Sequence, residues 1–156
     1  DFLLNVNEKT NVVVAIGNPR IRKKIVERLQ INKNISFPNI FDKDVIIDKT
    51  VTIGFGNIIC KGSILTTNLE IGNFNHINLN CTVGHDVQFH DYITVYPGVN
   101  ISGNVRINDC VEIGTGTKII QGKEIVKETV IGAGSVVVKD IVENGTYIGV
   151  PAKQMK

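Results

Sequence analysis

A histidine followed directly by an aspartate is the pair in this sequence best suited to proton transfer. His85 and Asp86 lie within the segment Cys81–Val87. A neutral imidazole accepts a proton near neutral pH, since its reference pKa is about 6.5. A neighbouring carboxylate can hold one tautomer of the ring and stabilise the imidazolium. The pair predicts a general base at His85 supported by Asp86, and the alternative is an ordinary exposed histidine.

The residues around this pair repeat with a period of six. Neither a helix, with a period of 3.6, nor a simple strand, with a period of 2, explains that spacing. We interpret each unit as one short strand plus one corner, with three units forming a triangular coil of 18 residues. Successive coils would pair at roughly 4.8 Å, and His85 would then face outward. An antiparallel β-sandwich with chance spacing is the alternative. The repeated inward positions are Phe41, Ile47, Ile53, Ile59, Leu65, Ile71, Ile77, Val83, Phe89, Val95, Ile101, Ile107, Ile113, Ile119, Ile125, Ile131 and Val137.

The repeat pattern [ILV]-G-x-x-[STVN]-x resembles that of the hexapeptide-repeat transferases. The resemblance covers residues 41–156, about three-quarters of the chain. It implies an all-β repeat fold, a left-handed parallel β-helix of about five to six coils. The handedness comes from the resemblance alone, and it runs against the usual right-handed crossover. We expect residues 37–142 to form this domain.

The N-terminal segment, residues 1–36, does not follow the repeat and is interpreted as a strand–helix remnant of an α/β domain. Asn11–Ile16 is expected to be a buried strand that pairs with another chain or with upstream strands. Asn18 is a plausible N-cap and Pro19 a plausible first helical residue. Arg20–Gln30 is then an amphipathic helix. Its expected apolar face consists of Ile21, Ile25, Val26 and Leu29.

At the other end, the period breaks from Lys139, and residues 143–156 are expected to form a cap or tail. Gly149–Lys153 resembles the tail that follows the last coil in many hexapeptide-repeat acetyltransferases. The resemblance implies that Lys153 lies near the nucleotide of the coenzyme. A solvated lysine is the alternative.

A narrower resemblance is carried by His85-Asp86 and by the later run Tyr96–Val105. Together they resemble the sialic acid O-acetyltransferases and nucleotide-amino-sugar N-acetyltransferases. In that subfamily an H-[DE] pair precedes an A-P-G-V-x-[LI]-S-G-N-V run. The resemblance implies that His85 is the general base and that Asp86 raises its basicity. It also implies that the backbone N–H of Gly103 donates to the thioester oxygen, which stabilises the oxyanion.

The same resemblance implies further contacts with acetyl-CoA. Thr94 stands where some members place a second histidine that contacts the coenzyme. Thr115 and Ala133 stand in register with backbone contacts to the pantetheine arm. A small residue is required at those two positions because the arm lies close along the coil edge.

The implied reaction is direct acetyl transfer from acetyl-CoA, as co-substrate, to an amine or hydroxyl of a sugar. The implied assembly is a homotrimer with active sites between subunits. Full-length members begin with a larger α/β domain, whose first Gly-rich turn helps bind the nucleotide-sugar acceptor. This sequence starts after that turn. The identity of the acceptor, and the choice between N- and O-acetylation, therefore stay open.

Two other classes of function compete with this interpretation. His85 and His90 resemble part of the metal site of γ-class carbonic anhydrases, where three histidines from two subunits bind zinc. An earlier coil should supply another ligand, but Ser63 stands there, and His76 lies on a different part of the triangle. A non-catalytic β-helix scaffold is the third class.

Composition excludes several classes of protein. Among 156 residues, 42% are hydrophobic, which is enough for a core. A net charge of +2 argues against nucleic acid as the main partner. No apolar run approaches the length of a membrane span, so no membrane partner is expected. Three cysteines without a CxxC motif indicate a reducing compartment, and we expect the cytoplasm.

Overall fold

The computed structural model describes residues 2–155, most of which form a triangular prism of very short parallel strands. A 3-10 helix (Leu3–Asn5) precedes the other elements. The remaining elements are β1 (Thr10–Asn11), α1 (Pro19–Leu29), β2 (Ile35–Ser36), β3 (Ile40–Phe41), β4 (Ile46–Ile47), β5 (Thr52–Ile53), β6 (Ile58–Ile59), β7 (Ile64–Leu65), β8 (Glu70–Ile71), β9 (His76–Ile77), β10 (Thr82–Val83), β11 (Gln88–Phe89), β12 (Thr94–Val95), β13 (Asn100–Ile101), β14 (Arg106–Ile107), β15 (Glu112–Ile113), β16 (Lys118–Ile119), β17 (Glu124–Ile125), β18 (Val130–Ile131), β19 (Val136–Val137), β20 (Thr146–Ile148) and β21 (Lys153–Gln154).

Three parallel sheets make the three faces of the prism. Face 1 contains β4, β7, β10, β13, β16 and β19. Face 2 contains β5, β8, β11, β14 and β17, and face 3 contains β3, β6, β9, β12, β15 and β18 followed by β20 and β21. Thr82 pairs with Ile64 on one side and with Asn100 on the other, so neighbouring strands are offset by 18 residues. This register confirms the predicted coil of three six-residue units.

The predicted inward columns form the core. Fourteen of the seventeen positions, from Ile59 to Val137, are at most 4% exposed. The first three are less buried, and Phe41 is 44% exposed. They belong to the first coil, which no earlier coil covers within residues 2–155. An inward side chain is therefore buried only where a neighbouring segment stacks on each side of it. At the N-terminal end of the stack the same repeat position stays partly exposed.

The N-terminal segment departs from the prediction in its strand. The predicted strand Asn11–Ile16 is wrong in extent, since the strand is Thr10–Asn11 and backbone hydrogen bonding to β2 ends at the Val12 N–H. The strand has a partner within this chain that was not predicted, since Thr10 pairs in parallel with Ile35 of β2. Within Asn11–Ile16 only Val14 is buried, because a strand with one neighbour and one covered face cannot bury every side chain.

The helix begins as the sequence predicts, but one predicted core residue is wrong. The side chain of Asn18 accepts a hydrogen bond from the Ile21 N–H at 3.0 Å, and Pro19 is the first helical residue. Ile21 is 52% exposed, so it does not belong to the buried face. Arg22 takes that place and is fully buried.

Arg22 fastens the helix to face 3 through hydrogen bonds. Its Nε donates to the Phe74 carbonyl at 2.9 Å, and one terminal nitrogen donates to the carbonyls of Ile16 at 2.6 Å and Gly17 at 3.0 Å. The other terminal nitrogen donates to the Ile93 carbonyl at 3.1 Å. Burial lowers the pKa of Arg22 to about 10, so the side chain stays charged at neutral pH. Backbone carbonyls therefore solvate this buried charge.

Two side chains of face 3 complete this arrangement. The Thr94 hydroxyl accepts from both terminal nitrogens of Arg22 at 3.1 Å and donates to the Gly17 carbonyl at 2.6 Å. Arg22 also donates to Nδ1 of His76 at 3.3 Å. Burial, with the Arg22 charge nearby, lowers the pKa of His76 to about 4. His76 is therefore neutral at physiological pH and accepts from the guanidinium.

The C-terminal segment closes the last coil. β20 pairs in parallel with β18, and β21 returns antiparallel to β20. The Ala152 N–H donates to the Val136 carbonyl at 2.8 Å, which ties the tail to the last strand of face 1. The tail thereby covers an edge that would otherwise present unpaired backbone groups. No helix within residues 2–155 has the length and apolarity needed to cross a membrane.

Replacing the buried arginine by an apolar residue should destabilise the protein. Arg22→Met leaves several carbonyls and the Thr94 hydroxyl without their donor, which we expect to cost about 3–5 kcal/mol of unfolding free energy. Arg20→Met is the matched control, because Arg20 is exposed and donates one hydrogen bond, to the Glu128 carbonyl. Urea unfolding measures both variants. Equal loss of stability in the two would contradict the assigned role of Arg22.

Candidate active site

His85 and Asp86 form the corner between β10 and β11, where face 1 meets face 2. We call this the first corner. The His85 carbonyl accepts from the Asn104 N–H of the next coil at 2.7 Å. The Asp86 N–H donates to the Thr67 carbonyl of the preceding coil at 3.1 Å. The backbone of the pair is thus anchored on both sides, while both side chains are 52% exposed. The outward placement expected for His85 is what the structure shows.

The two side chains are hydrogen-bonded to each other. Nδ1 of His85 lies 2.7 Å from Oδ2 of Asp86, and it donates because the carboxylate can only accept. The hydrogen bond from His85 lowers the pKa of the Asp86 carboxyl, so Asp86 is ionised near neutral pH. The neutral imidazole then carries its proton on Nδ1 and a lone pair on Nε2. This arrangement can accept a proton at Nε2.

Gly103 lies directly beside the imidazole in the next coil. A Cβ at this position would be 2.5 Å from Nε2 of His85 and 2.6 Å from Cε1. Residue 103 must therefore be glycine for the ring to keep its position. Within residues 2–155 the Gly103 N–H has no hydrogen-bond partner. The first corner thus brings together three of the predicted site residues, His85, Asp86 and Gly103.

Two of the predicted coenzyme contacts lie at a different corner. Thr115 and Ala133 follow β15 and β18, where face 3 meets face 1, and we call this the second corner. Both residues are exposed. Lys153 is also exposed and lies in β21, which extends face 3 beyond β18 and β20. One chain therefore does not bring these residues together with His85.

Thr94 is placed where it cannot serve the predicted contact. It is 2% exposed, and its hydroxyl is engaged by Arg22 and by the Gly17 carbonyl. A buried hydroxyl that already accepts hydrogen bonds from Arg22 and donates one to the Gly17 carbonyl is not accessible to a bound coenzyme. The sequence did not indicate this, because nothing in the repeat shows that α1 covers face 3 at β12.

The other two histidines lie away from the first corner. His90 follows β11 at the far edge of face 2, with Nδ1 3.8 Å from a carboxylate oxygen of Asp109. His76 lies beneath α1, beside Arg22. Across residues 2–155 no three His, Cys, Asp or Glu side chains are grouped as metal ligands. This chain alone does not assemble the ligand set that the zinc alternative requires.

Two open grooves lie on face 2, and one of them includes Asp86. One, of about 300 Å³, is lined by Asp86 together with Arg106, Lys123, Glu124 and Asp140. The other, of about 680 Å³, runs from Asn68 to Asp109. Apart from Asp86 and His90, sequence reasoning did not single out the residues that line these grooves as functional. The 18-residue register was the signal for two of them, because Asn68 and Asn104 stand one coil before and after Asp86.

The chain matches no established family model. Over 125 residues it is 38% identical to GDP-perosamine N-acetyltransferase from Escherichia coli O157:H7, and the match covers 78% of this chain. It covers 54% of that protein, so the chain spans about half the length of this curated relative.

Two solved structures are similar over nearly the whole chain. The acetyltransferase domain of PglB from Neisseria gonorrhoeae FA1090 is 30% identical with a TM-score of 0.86, covering 99% of this chain and 76% of that one. A histidine mutant of perosamine N-acetyltransferase from Caulobacter crescentus, in complex with CoA and GDP-perosamine, is 28% identical with a TM-score of 0.89. It covers 92% of this chain and 68% of that one.

These matches extend through the β-helix and the N-terminal segment alike, and they confirm the left-handed form of the parallel β-helix that the sequence resemblance implied. The chain belongs to the hexapeptide-repeat acetyltransferases.

Proposed function

We propose that this chain transfers an acetyl group from acetyl-CoA to the amine of a nucleotide-linked amino sugar, with His85 as the general base. The observation that carries the proposal is the 2.7 Å hydrogen bond from His85 Nδ1 to Asp86, which leaves Nε2 free beside Gly103. The relatives named above support the substrate classes. Two of them are named perosamine N-acetyltransferases, and one of these was solved with CoA and GDP-perosamine. A sugar hydroxyl is the second candidate acceptor, since it needs the same base.

The proposed mechanism is direct transfer. Nε2 of His85 removes a proton from the acceptor nitrogen as that nitrogen attacks the thioester carbonyl. The Gly103 N–H donates a hydrogen bond to the oxyanion of the tetrahedral intermediate. The intermediate then collapses, the carbon–sulfur bond breaks, and the imidazolium returns its proton to the coenzyme A thiolate. Asp86, ionised throughout, stabilises the imidazolium between these steps.

A covalent acetyl-cysteine is not part of this mechanism. Cys81, four residues before His85, is 1% exposed, and its Sγ donates to the Tyr96 carbonyl at 3.2 Å. Burial raises the pKa of the Cys81 thiol, so the nucleophilic thiolate is disfavoured. Cys81 therefore acts in packing.

The separation of the two corners supports a homotrimer. The base and Gly103 lie at the first corner, whereas the proposed pantetheine contacts, Thr115 and Ala133, lie at the second. A coenzyme that reaches both needs the first corner of one subunit to face the second corner of another. A cyclic assembly repeats this contact and closes. In the same cleft, exposed Lys153 is proposed to meet a phosphate of the coenzyme nucleotide.

A cytoplasmic location is proposed as well. Cys60, Cys81 and Cys110 are all free thiols, which fits a reducing compartment.

Substituting His85 should abolish most turnover. His85→Gln removes the proton acceptor, and we expect the acetylation rate to fall by about 10²–10⁴-fold. His90→Gln is the matched control, since His90 is an exposed histidine near a carboxylate and lies away from the first corner. Release of coenzyme A with an amino-sugar nucleotide as acceptor measures both. Wild-type turnover in His85→Gln would remove the general-base assignment.

Adding a methyl group at residue 103 should disturb the base without unfolding the chain. In Gly103→Ala the new Cβ would lie 2.5 Å from Nε2 of His85, so the ring must move. Because a misplaced base slows proton transfer, we expect kcat to fall about 10- to 100-fold. The KM for acetyl-CoA should change little, and thermal unfolding checks the fold. An unchanged kcat would show that the position of the ring is not critical.

Mixed trimers test whether each site is shared between subunits. His85→Gln spoils the first corner, and Ala133→Trp blocks the second. Each variant alone should be inactive. In an equal mixture, about half of the first corners and about half of the second corners are intact. Because a working cleft needs one of each, random assembly should recover about a quarter of wild-type turnover. No recovery in co-purified mixed trimers would place the whole site within one subunit.

A further inference from the structure

The carboxylate of Asp86 has a second side-chain partner besides His85. Oδ1 of Asp86 accepts a hydrogen bond from the Asn68 side-chain amide at 3.4 Å, while Oδ2 accepts from His85. Asn68 stands 18 residues before Asp86, at the same first corner in the preceding coil. Its φ is 56° and that of Asp86 is 59°, so both occupy the left-handed region that Asn and Asp tolerate. The register of the prism therefore brings the amide beside the carboxylate.

Asn68 is itself held by the coil that precedes it. Its N–H donates to the Thr50 hydroxyl at 2.8 Å, and Thr50 stands a further 18 residues back. That hydroxyl donates to Asp48 at 2.6 Å and lies 3.0 Å from the hydroxyl of Thr67. A continuous series of polar contacts thus crosses three coils and ends on His85.

The charged groups around Asp86 do not take over this role. Arg106, Lys123, Glu124 and Asp140 line the groove that Asp86 enters. Arg106 donates to Gln88 at 3.0 Å, and Lys123 lies 3.8 Å from Asp140. Within residues 2–155, the side chains that donate to the Asp86 carboxylate are those of His85 and Asn68. An exposed carboxylate with one contact can rotate into water, whereas a second contact on its other oxygen restricts that rotation.

We propose that Asn68 is a positioning residue for proton transfer. By holding the Asp86 carboxylate against Nδ1 of His85, it keeps the imidazole in the tautomer whose Nε2 is free to act as the base. This inference rests on the proposed general-base function of His85.

Asn68→Gly tests the proposal without straining the corner, because glycine adopts the left-handed conformation freely. The matched control is Asn104→Gly. Asn104 lies at the same corner one coil after Asp86 with a φ of 55°, and it contacts His85 through its backbone N–H, which the substitution retains. Both variants lose one exposed asparagine side chain from the same column, and only one of them loses a hydrogen bond to Asp86.

The expected result is a decrease in kcat for Asn68→Gly of about three- to tenfold, the rate equivalent of one hydrogen bond. The KM for acetyl-CoA should stay unchanged, and Asn104→Gly should remain within about twofold of wild type. The acid limb of the pH profile should move to lower pH in Asn68→Gly, because a freer carboxylate stabilises the imidazolium less. The charged groups near Asp86 are the same in both variants, so their electrostatic effect on His85 does not differ between Asn68→Gly and Asn104→Gly. These groups are Asp48, Arg106, Lys123, Glu124 and Asp140.

A double variant separates this inference from the proposed function. In a His85→Gln background, Asn68→Gly should cause no further loss, because its effect passes through the imidazole. A further loss there, or equal effects of Asn68→Gly and Asn104→Gly, would overturn the positioning role. Wild-type turnover in His85→Gln alone would overturn the proposed function instead.

Discussion

The parallel stacking of coils at an offset of 18 residues is the constraint on which the site depends. Backbone hydrogen bonds fix each corner against the corners one coil before and one coil after it. The neighbours of His85 are therefore set by position in the sequence, and Gly103 is one of them. The same rule sets Asn68 and Asn104 beside Asp86. A chemical group at a corner is thus surrounded by residues that are distant in sequence and fixed in space.

This constraint explains why much of the fold and part of the site could be predicted from the sequence. Once the period is known, adding 18 gives each residue its neighbours, so the inward columns and the proximity of Gly103 to His85 follow from counting. The outward direction of His85 follows as well, because it stands between the inward residues Val83 and Val87. None of these steps needs knowledge of how separate elements dock.

The errors fall where docking matters. The placement of α1 on face 3 is not periodic, so the sequence did not show that Arg22 would be buried and Ile21 exposed. Apolarity correctly identified Val26 and Leu29 but missed Arg22, because the surface beneath that residue offers carbonyls, a hydroxyl and a neutral imidazole. A guanidinium with five N–H donors satisfies such a surface better than an isoleucine would. Thr94 is buried by the same docking, and its predicted contact with the coenzyme was lost with it.

A prism filled by its own side chains has a further consequence for catalysis. Its core is occupied by stacked aliphatic residues from Ile59 to Val137, which leaves chemistry to the outer surface. There His85 and Asp86 are half exposed, and water competes for every hydrogen bond they make. Proton transfer and oxyanion stabilisation are both more effective where water is excluded. A single chain cannot provide such an environment at a convex corner, whereas a neighbouring subunit placed against it can. The proposed assembly would therefore supply both the surface that binds the coenzyme and the exclusion of water that the base requires.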